Sequence, residues 1–208
     1  MVIFMPRSIR FFILLGSVLC FLTLMSCGKE KRVTRVDPGM VTDLSGRWND
    51  TDSKQVAEAM IQDMMSRPWL SKFTGSHGRE PVVIVGTILN KSHEHIDVVT
   101  FVTDLEREMT NSQLVLFVAS KSEREEIREE RKEQAVFSRE DTQKRPGQEL
   151  GADFMMKGTI ASIVDESSGT KAVYYQIDLD LIDLENNVKS WYGQKKIKKI
   201  IERKRLLF

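Results

Sequence analysis

The chain has 208 residues, of which 31 are basic and 30 acidic, for a formal net charge of +1, and 41% are hydrophobic. So even a balance gives no electrostatic basis for binding nucleic acid, where a basic face is expected. The only cysteines are Cys20 and Cys27, and the N-terminal reading below removes or blocks both. Disulfides, cysteine-based metal centres and a cysteine nucleophile are thereby excluded.

Residues 1–26 read as a secretory leader that would be discarded. Arg7 and Arg10 supply its positive front, residues 11–24 its apolar middle, and Ser26 the small residue before the cut. That middle is shorter than the roughly 18–20 residues of a membrane-spanning helix. A cysteine directly after such a cut is the acceptor site of bacterial lipoproteins. Cys27 is therefore expected to carry diacylglycerol on its thiol and an acyl chain, palmitate, on its new amino terminus. Several chains anchor firmly where one binds only marginally. Met25 is an unusual residue two before the cysteine, and it leaves open an ordinary signal peptide followed by an ordinary cysteine. Because the leader holds two basic residues and no acidic one, the remaining 182 residues carry a formal charge of −1, enough length for one domain with a sizeable core.

Residues 27–40 read as the lipidated cysteine and a short tether. The tether is charged, lacks apolar periodicity and closes on the turn sequence Asp37-Pro38-Gly39. It reaches at most about 45 Å when fully extended. Residues 41–208 read as the globular domain.

The domain opens with a polar stretch suited to capping a helix N-terminus. Val56, Ala59, Met60 and Met64 predict an amphipathic helix over 52–66, stopped by Arg67-Pro68. Trp69, Leu70 and Phe73 are expected to cap the core from a short turn, with a polar loop at 74–80. The β-branched run 81–89 predicts a central strand buried on both faces. After a loop at 90–97, Val98, Phe101, Val102, Leu105 and Met109 mark a second helix ending near Asn111. Residues 114–119 predict a short buried strand, 122–134 a third helix charged nearly all round, and 139–150 a broken or short helix. Residues 153–164, 171–183 and 188–201 predict three long strands in an antiparallel meander. In the middle one Val173, Tyr175, Ile177, Leu179 and Leu181 alternate with polar residues. The fold class is α+β, a single mixed sheet with a C-terminal meander and helices packed on it.

Few residues suggest chemistry. His93-Glu94-His95, with Asp97 nearby, is the one metal-like grouping, but it falls in a loop without another distant ligand. It reads as a solvated loop, and no metal is expected. No glycine spacing suits a phosphate loop, and there is no Gly-x-Ser-x-Gly elbow. No catalytic residue, cofactor or small-molecule substrate is indicated.

In the third helix Arg124, Arg128 and Lys132 recur every four residues, as do Glu125, Glu129 and Glu133. Like charges at that spacing cost helix stability, and only the three-residue pairs help. This segregation serves a partner or a neighbouring part of the domain; otherwise it is a solvated face. Arg47 and Trp48, and Trp191 and Tyr192, lie in polar, glycine-containing segments. Such aromatics anchor an interface or cover a core edge. The basic stretch 195–204 suits anionic groups or an edge strand that resists aggregation.

Several stretches together resemble the LpoB family, lipoprotein activators of class A penicillin-binding proteins. They are Asp43-Leu44-Ser45-Gly46-Arg47-Trp48-Asn49-Asp50-Thr51-Asp52-Ser53, Pro81-Val82-Val83-Ile84-Val85-Gly86, and Asn90-Lys91-Ser92 with Glu94-His95-Ile96-Asp97. Further on come Arg124-Glu125-Glu126-Ile127-Arg128-Glu129-Glu130-Arg131, Gly151-Ala152-Asp153-Phe154-Met155, Tyr175-Gln176-Ile177-Asp178-Leu179 and Gln194-Lys195-Lys196-Ile197-Lys198-Lys199.

The resemblance implies a domain similar to the N-terminal domain of TolB, binding to a murein synthase, and stimulation of peptidoglycan synthesis without catalysis. It also implies anchoring in the outer membrane with the domain in the periplasm, and Gly28 after Cys27 agrees with the common sorting rule. Well-known members carry a long proline-rich linker, whereas the tether here is short. Either the anchor lies in the inner membrane, the partner reaches outward, or the partner differs. Two other functions stay open: an adapter of an envelope secretion or assembly complex, and a metal-dependent hydrolase using His93 and His95.

Overall fold

The computed structural model describes residues 32–202. The leader, Cys27 and the first residues of the tether lie outside them. The chain divides into two units between Met40 and Val41. In the first, the Met40 N–H donates to the Asp37 carbonyl at 3.0 Å and the Gly39 N–H to Asp37 Oδ1 at 2.7 Å, closing a turn.

The second unit begins with helix α1, Asp50–Met65. Extended Asn49 caps it: its side chain accepts the Asp52 N–H while the Asp52 carboxylate accepts the Asn49 N–H, so two otherwise unpaired donors are satisfied. Helix α2 follows at Pro68–His77, where a turn and loop were expected. The proline that ends α1 also starts α2, because a first helical position needs no N–H and suits the fixed φ of proline. Trp69 and Phe73 enter the core from this helix, which closes on Gly78 at φ 63°.

Strand β1 is Val82–Lys91, with its first four residues buried. Helix α3, Val98–Ser112, is capped by Asp97 and buries Phe101, Leu105 and Met109. Strand β2, Leu116–Phe117, is shorter and more exposed than expected. It lies at a sheet edge, pairs only with β1 and leaves Leu116 41% exposed. Helix α4, Lys121–Phe137, has a Ser120–Glu123 capping box and no buried residue. Residues 139–150 form turns and no helix. Pro146 lacks the N–H a helix needs, and Gly147 sits at φ 76°.

Strands β3 (Phe154–Ser167), β4 (Thr170–Asp183) and β5 (Lys189–Glu202) form the antiparallel meander. Ser168 and Gly169, both at positive φ, supply the two-residue turn between the first two. The sheet order is β2-β1-β3-β4-β5, with β1 parallel to both of its neighbours.

One face of this mixed sheet carries the core. Val173, Tyr175, Ile177, Leu179 and Leu181 on β4 are fully buried against apolar residues of α1, α2 and α3. The opposite face presents Tyr174, Gln176, Asp178 and Asp180 from β4 and Tyr192, Gln194, Lys196 and Lys198 from β5. Fold class and meander are as the sequence predicts. Among the described residues, no helix is long and apolar enough to cross a membrane.

Candidate functional site

On the open sheet face Asp178 is the hub. Its Oδ1 accepts from the Tyr192 hydroxyl at 2.5 Å and from Gln194 Nε2 at 2.7 Å, and its Oδ2 from Gln176 Nε2 at 2.8 Å. Burial opposes ionisation, but these donors win and hold the carboxyl below its ordinary range. Asp180, two residues on, pairs with Lys189 at 2.9 Å. A shallow depression beside them is lined by Thr87, Leu89, Lys157, Gly158, Thr159, Asp178 and Asp180.

Trp191 and Tyr192, adjacent in sequence, face opposite sides of β5. Trp191 is 5% exposed and belongs to the core; its indole N–H donates to Asp63 Oδ2 on α1 at 2.8 Å. Its ring lies across Gly193, where a Cβ would collide with it. Tyr192 is 54% exposed. The structure therefore places the two aromatics in different roles: Trp191 locks α1 to the sheet, and Tyr192 is presented to solvent.

Trp48 is half-buried and meets Phe101 and Tyr175 edge-to-face, with centroids at 6.1 and 5.7 Å. Its N–H donates to Glu94 Oε2 at 3.1 Å. Arg47, beside it, is exposed, and its carbonyl accepts from Lys199 Nζ at 3.0 Å. That ammonium also meets Asp43 at 2.8 Å and Asp52 at 2.5 Å, so β5 is fastened to the start of α1. Burial lowers the Lys199 pKa, but the two aspartates outweigh it and raise the pKa.

Around α4 the long-range partner of the basic residues is Glu149, which the sequence reading did not single out. Arg128 holds it in a two-pronged contact at 3.0 and 2.8 Å, and Arg131 Nη1 adds 2.7 Å. The Arg128 hydrogen bond is the largest cause, and together with Arg131 it draws the Glu149 pKa down to about 2 against the opposing effect of burial. Lys132 pairs with Glu129 at 2.7 Å, three residues back. Arg124 is half-buried, and its Nε has no partner among the described residues. Arg128 thus binds a neighbouring segment of its own domain while its side chain stays 47% exposed. Only the fold brings Glu149, 21 residues away, to it.

His93 Nδ1 lies 2.7 Å from Ser162 Oγ and its Nε2 3.2 Å from Glu94 Oε1, while His95 is exposed. No group of three or more metal-ligating side chains occurs among the described residues.

The family described as "Peptidoglycan-synthase activator LpoB" matches residues 52–197. The chain belongs to the LpoB family.

The LpoB match runs from the first turn of α1 to the middle of β5. It takes in the His93 loop, all of α4 and the Asp178 network, and leaves Arg47, Trp48 and Lys199 just outside. Members are activators of peptidoglycan synthases, regulators rather than enzymes. No curated protein matches the sequence.

Among solved structures, the LpoB C-terminal domain from Escherichia coli is 15% identical, with a TM-score of 0.34, and the match covers 71% of this chain and 98% of that one. The LpoB C-terminal domain from Salmonella enterica gives 14%, 0.32, 62% and 93%. Lipoprotein GNA1162 from Neisseria meningitidis gives 11%, 0.40, 61% and 88%. Membership rests on the family match.

Proposed function

We propose that this protein is a lipid-anchored, periplasmic activator of a class A penicillin-binding protein, and that it stimulates peptidoglycan synthesis by binding, without catalysis. The observation that carries the reading is the LpoB match across residues 52–197. The leader and Cys27 support the anchor, and the outer membrane is its proposed site. The proposed contacts are Arg47, Arg124, Arg128, Lys132 and Tyr192, with Trp48 and Trp191 holding their neighbours in place from the core. Activation requires tighter binding to the active conformation of the synthase than to the inactive one.

The test is reconstitution. Full-length lipidated protein, extracted in detergent from its own cells, is added to each class A penicillin-binding protein of the same cell. Glycan polymerisation and peptide cross-linking are then followed. Stimulation of one synthase supports the proposal; unchanged rates for all of them defeat it.

The short tether favours one alternative, an adapter of an envelope secretion or assembly complex whose partners sit at the same membrane. Crosslinking in intact cells, read by mass spectrometry, separates the two by recovering either a synthase or secretion components.

A further inference from the structure

Strand β5 is the last in the sheet order and is bonded to β4 on one side. Among the described residues nothing pairs with its other side, and such an edge presents a row of free backbone N–H and C=O groups. Its C-terminal part is already engaged. Lys199 is tied to Asp43, Asp52 and the Arg47 carbonyl, and Gly46 packs on Ile201. Residues 192–198 remain, about 23 Å of extended backbone.

The charges of this strand divide in the same way. Lys189 at one end is paired with Asp180, and Lys199 at the other with Asp43 and Asp52. Between them Lys195, Lys196 and Lys198 are exposed and make no ion pair among the described residues, and residues 192–198 contain no acid. The three do not share a face. Lys195 stands opposite Ile177, on the helix-covered side, while Lys196 and Lys198 stand opposite Gln176 and Tyr174 on the open side.

This arrangement selects among occupants. A second copy of β5 would set lysine against lysine, which is destabilising across a strand pair. A flat anionic lipid surface touches one side of the sheet and leaves Lys195 or the other two unused. A strand laid along the edge projects its side chains alternately to both sides and reaches all three.

We propose that residues 192–198 take up an acidic, extended segment of a protein partner as a sixth strand. Backbone hydrogen bonds supply the affinity, and carboxylates at successive positions, pointing to both sides of the sheet, supply the selectivity. The proposal deepens the reading of a partner-binding domain but does not require that the partner be a synthase. A chain that binds such a segment yet stimulates no penicillin-binding protein would overturn the proposed function and leave this inference standing.

The test uses the full chain, isotopically labelled in detergent, with three probes. They are a seven-residue peptide whose three central residues are consecutive glutamates flanked by valines, so that carboxylates point to both sides of the sheet, its lysine counterpart, and phosphatidylglycerol-containing vesicles. The glutamate peptide is expected to slow amide exchange at alternate positions within 192–198 by about tenfold at saturation, and to lose affinity with salt. K195E/K196E/K198E is expected to lose that protection and to gain it with the lysine peptide. K195Q/K196Q/K198Q, a milder change, is expected to bind neither peptide well. Equal protection by both peptides, shifts without slowed exchange, or a response to vesicles alone would each overturn the proposal.

Discussion

Lys199 near the end of β5 bonds Asp52 in the first turn of α1 at 2.5 Å, with the lysine side chain only 9% exposed. The pair spans 147 residues of sequence. Removing the ammonium leaves a buried carboxylate without its charge partner, although the Asn49 N–H stays with it. Lys199→Met is therefore expected to destabilise the domain by about 2–3 kcal/mol, measured by urea unfolding. Its raised pKa sets the sign with pH. The folded state holds this proton more tightly than the unfolded one, so the contribution is complete below the ordinary lysine value and fades as pH rises through the folded value.

Gly193 and Gly75 make opposite predictions. A Cβ at Gly193 would run into the Trp191 indole, which is held in place by Asp63. Gly193→Ala should cost about 2 kcal/mol as that ring is displaced. Gly75 lies within α2, and a Cβ there would meet nothing within 4 Å. Gly75→Ala should stabilise by about 0.5–1 kcal/mol, through helix propensity and a less flexible unfolded chain. Thermal unfolding of both variants checks the contrast.

Glu149→Gln removes the charge that Arg128 and Arg131 share. Backbone amides of 139–150 should then exchange about tenfold faster, while β3 and β4 are unchanged. Acid does the same to the wild type. Glu149 falls from an ordinary 4.5 to about 2 in the fold, and Asp63 and Asp153 are also lowered. For Asp63 the main cause is the hydrogen bond from Arg67, and for Asp153 that from Arg79. Between these limits the unfolded chain binds more protons, so stability falls as pH drops from 4.5 towards 2. Urea midpoints at pH 5, 4 and 3 should decline in that order.

Arg47 and Trp48 separate contact from support. Trp48→Ala removes a ring packed between Phe101 and Tyr175, and should cost about 2–3 kcal/mol. Arg47→Ala should stay within about 0.5 kcal/mol. If the proposed function holds, Arg47→Ala lowers stimulation of the synthase at unchanged stability.

Most of the element list was legible because each signal is local. The spacing of Val56, Met60 and Met64 marks α1, and the alternation through Tyr175 and Leu179 marks β4. Each is a period imposed by one backbone geometry. Helix α2 was missed because Pro68 ends one helix and opens another with the same fixed φ. The expected strand at 114–119 shrank to β2, since apolar composition does not reveal that a segment will find only one neighbour.

By itself the sequence determined the mixed α/β class, the three-strand meander and the residues that carry the family match. Tertiary structure alone decided which way each candidate side chain faces. It buried Trp191 beside exposed Tyr192, gave Arg128 to Glu149, and left Lys195, Lys196 and Lys198 without an ion pair, among the described residues, between two engaged lysines. Periodicity is written into neighbouring residues. Pairings such as Trp191 with Asp63, 128 residues apart, exist only once the strand order has brought the two ends of the domain together.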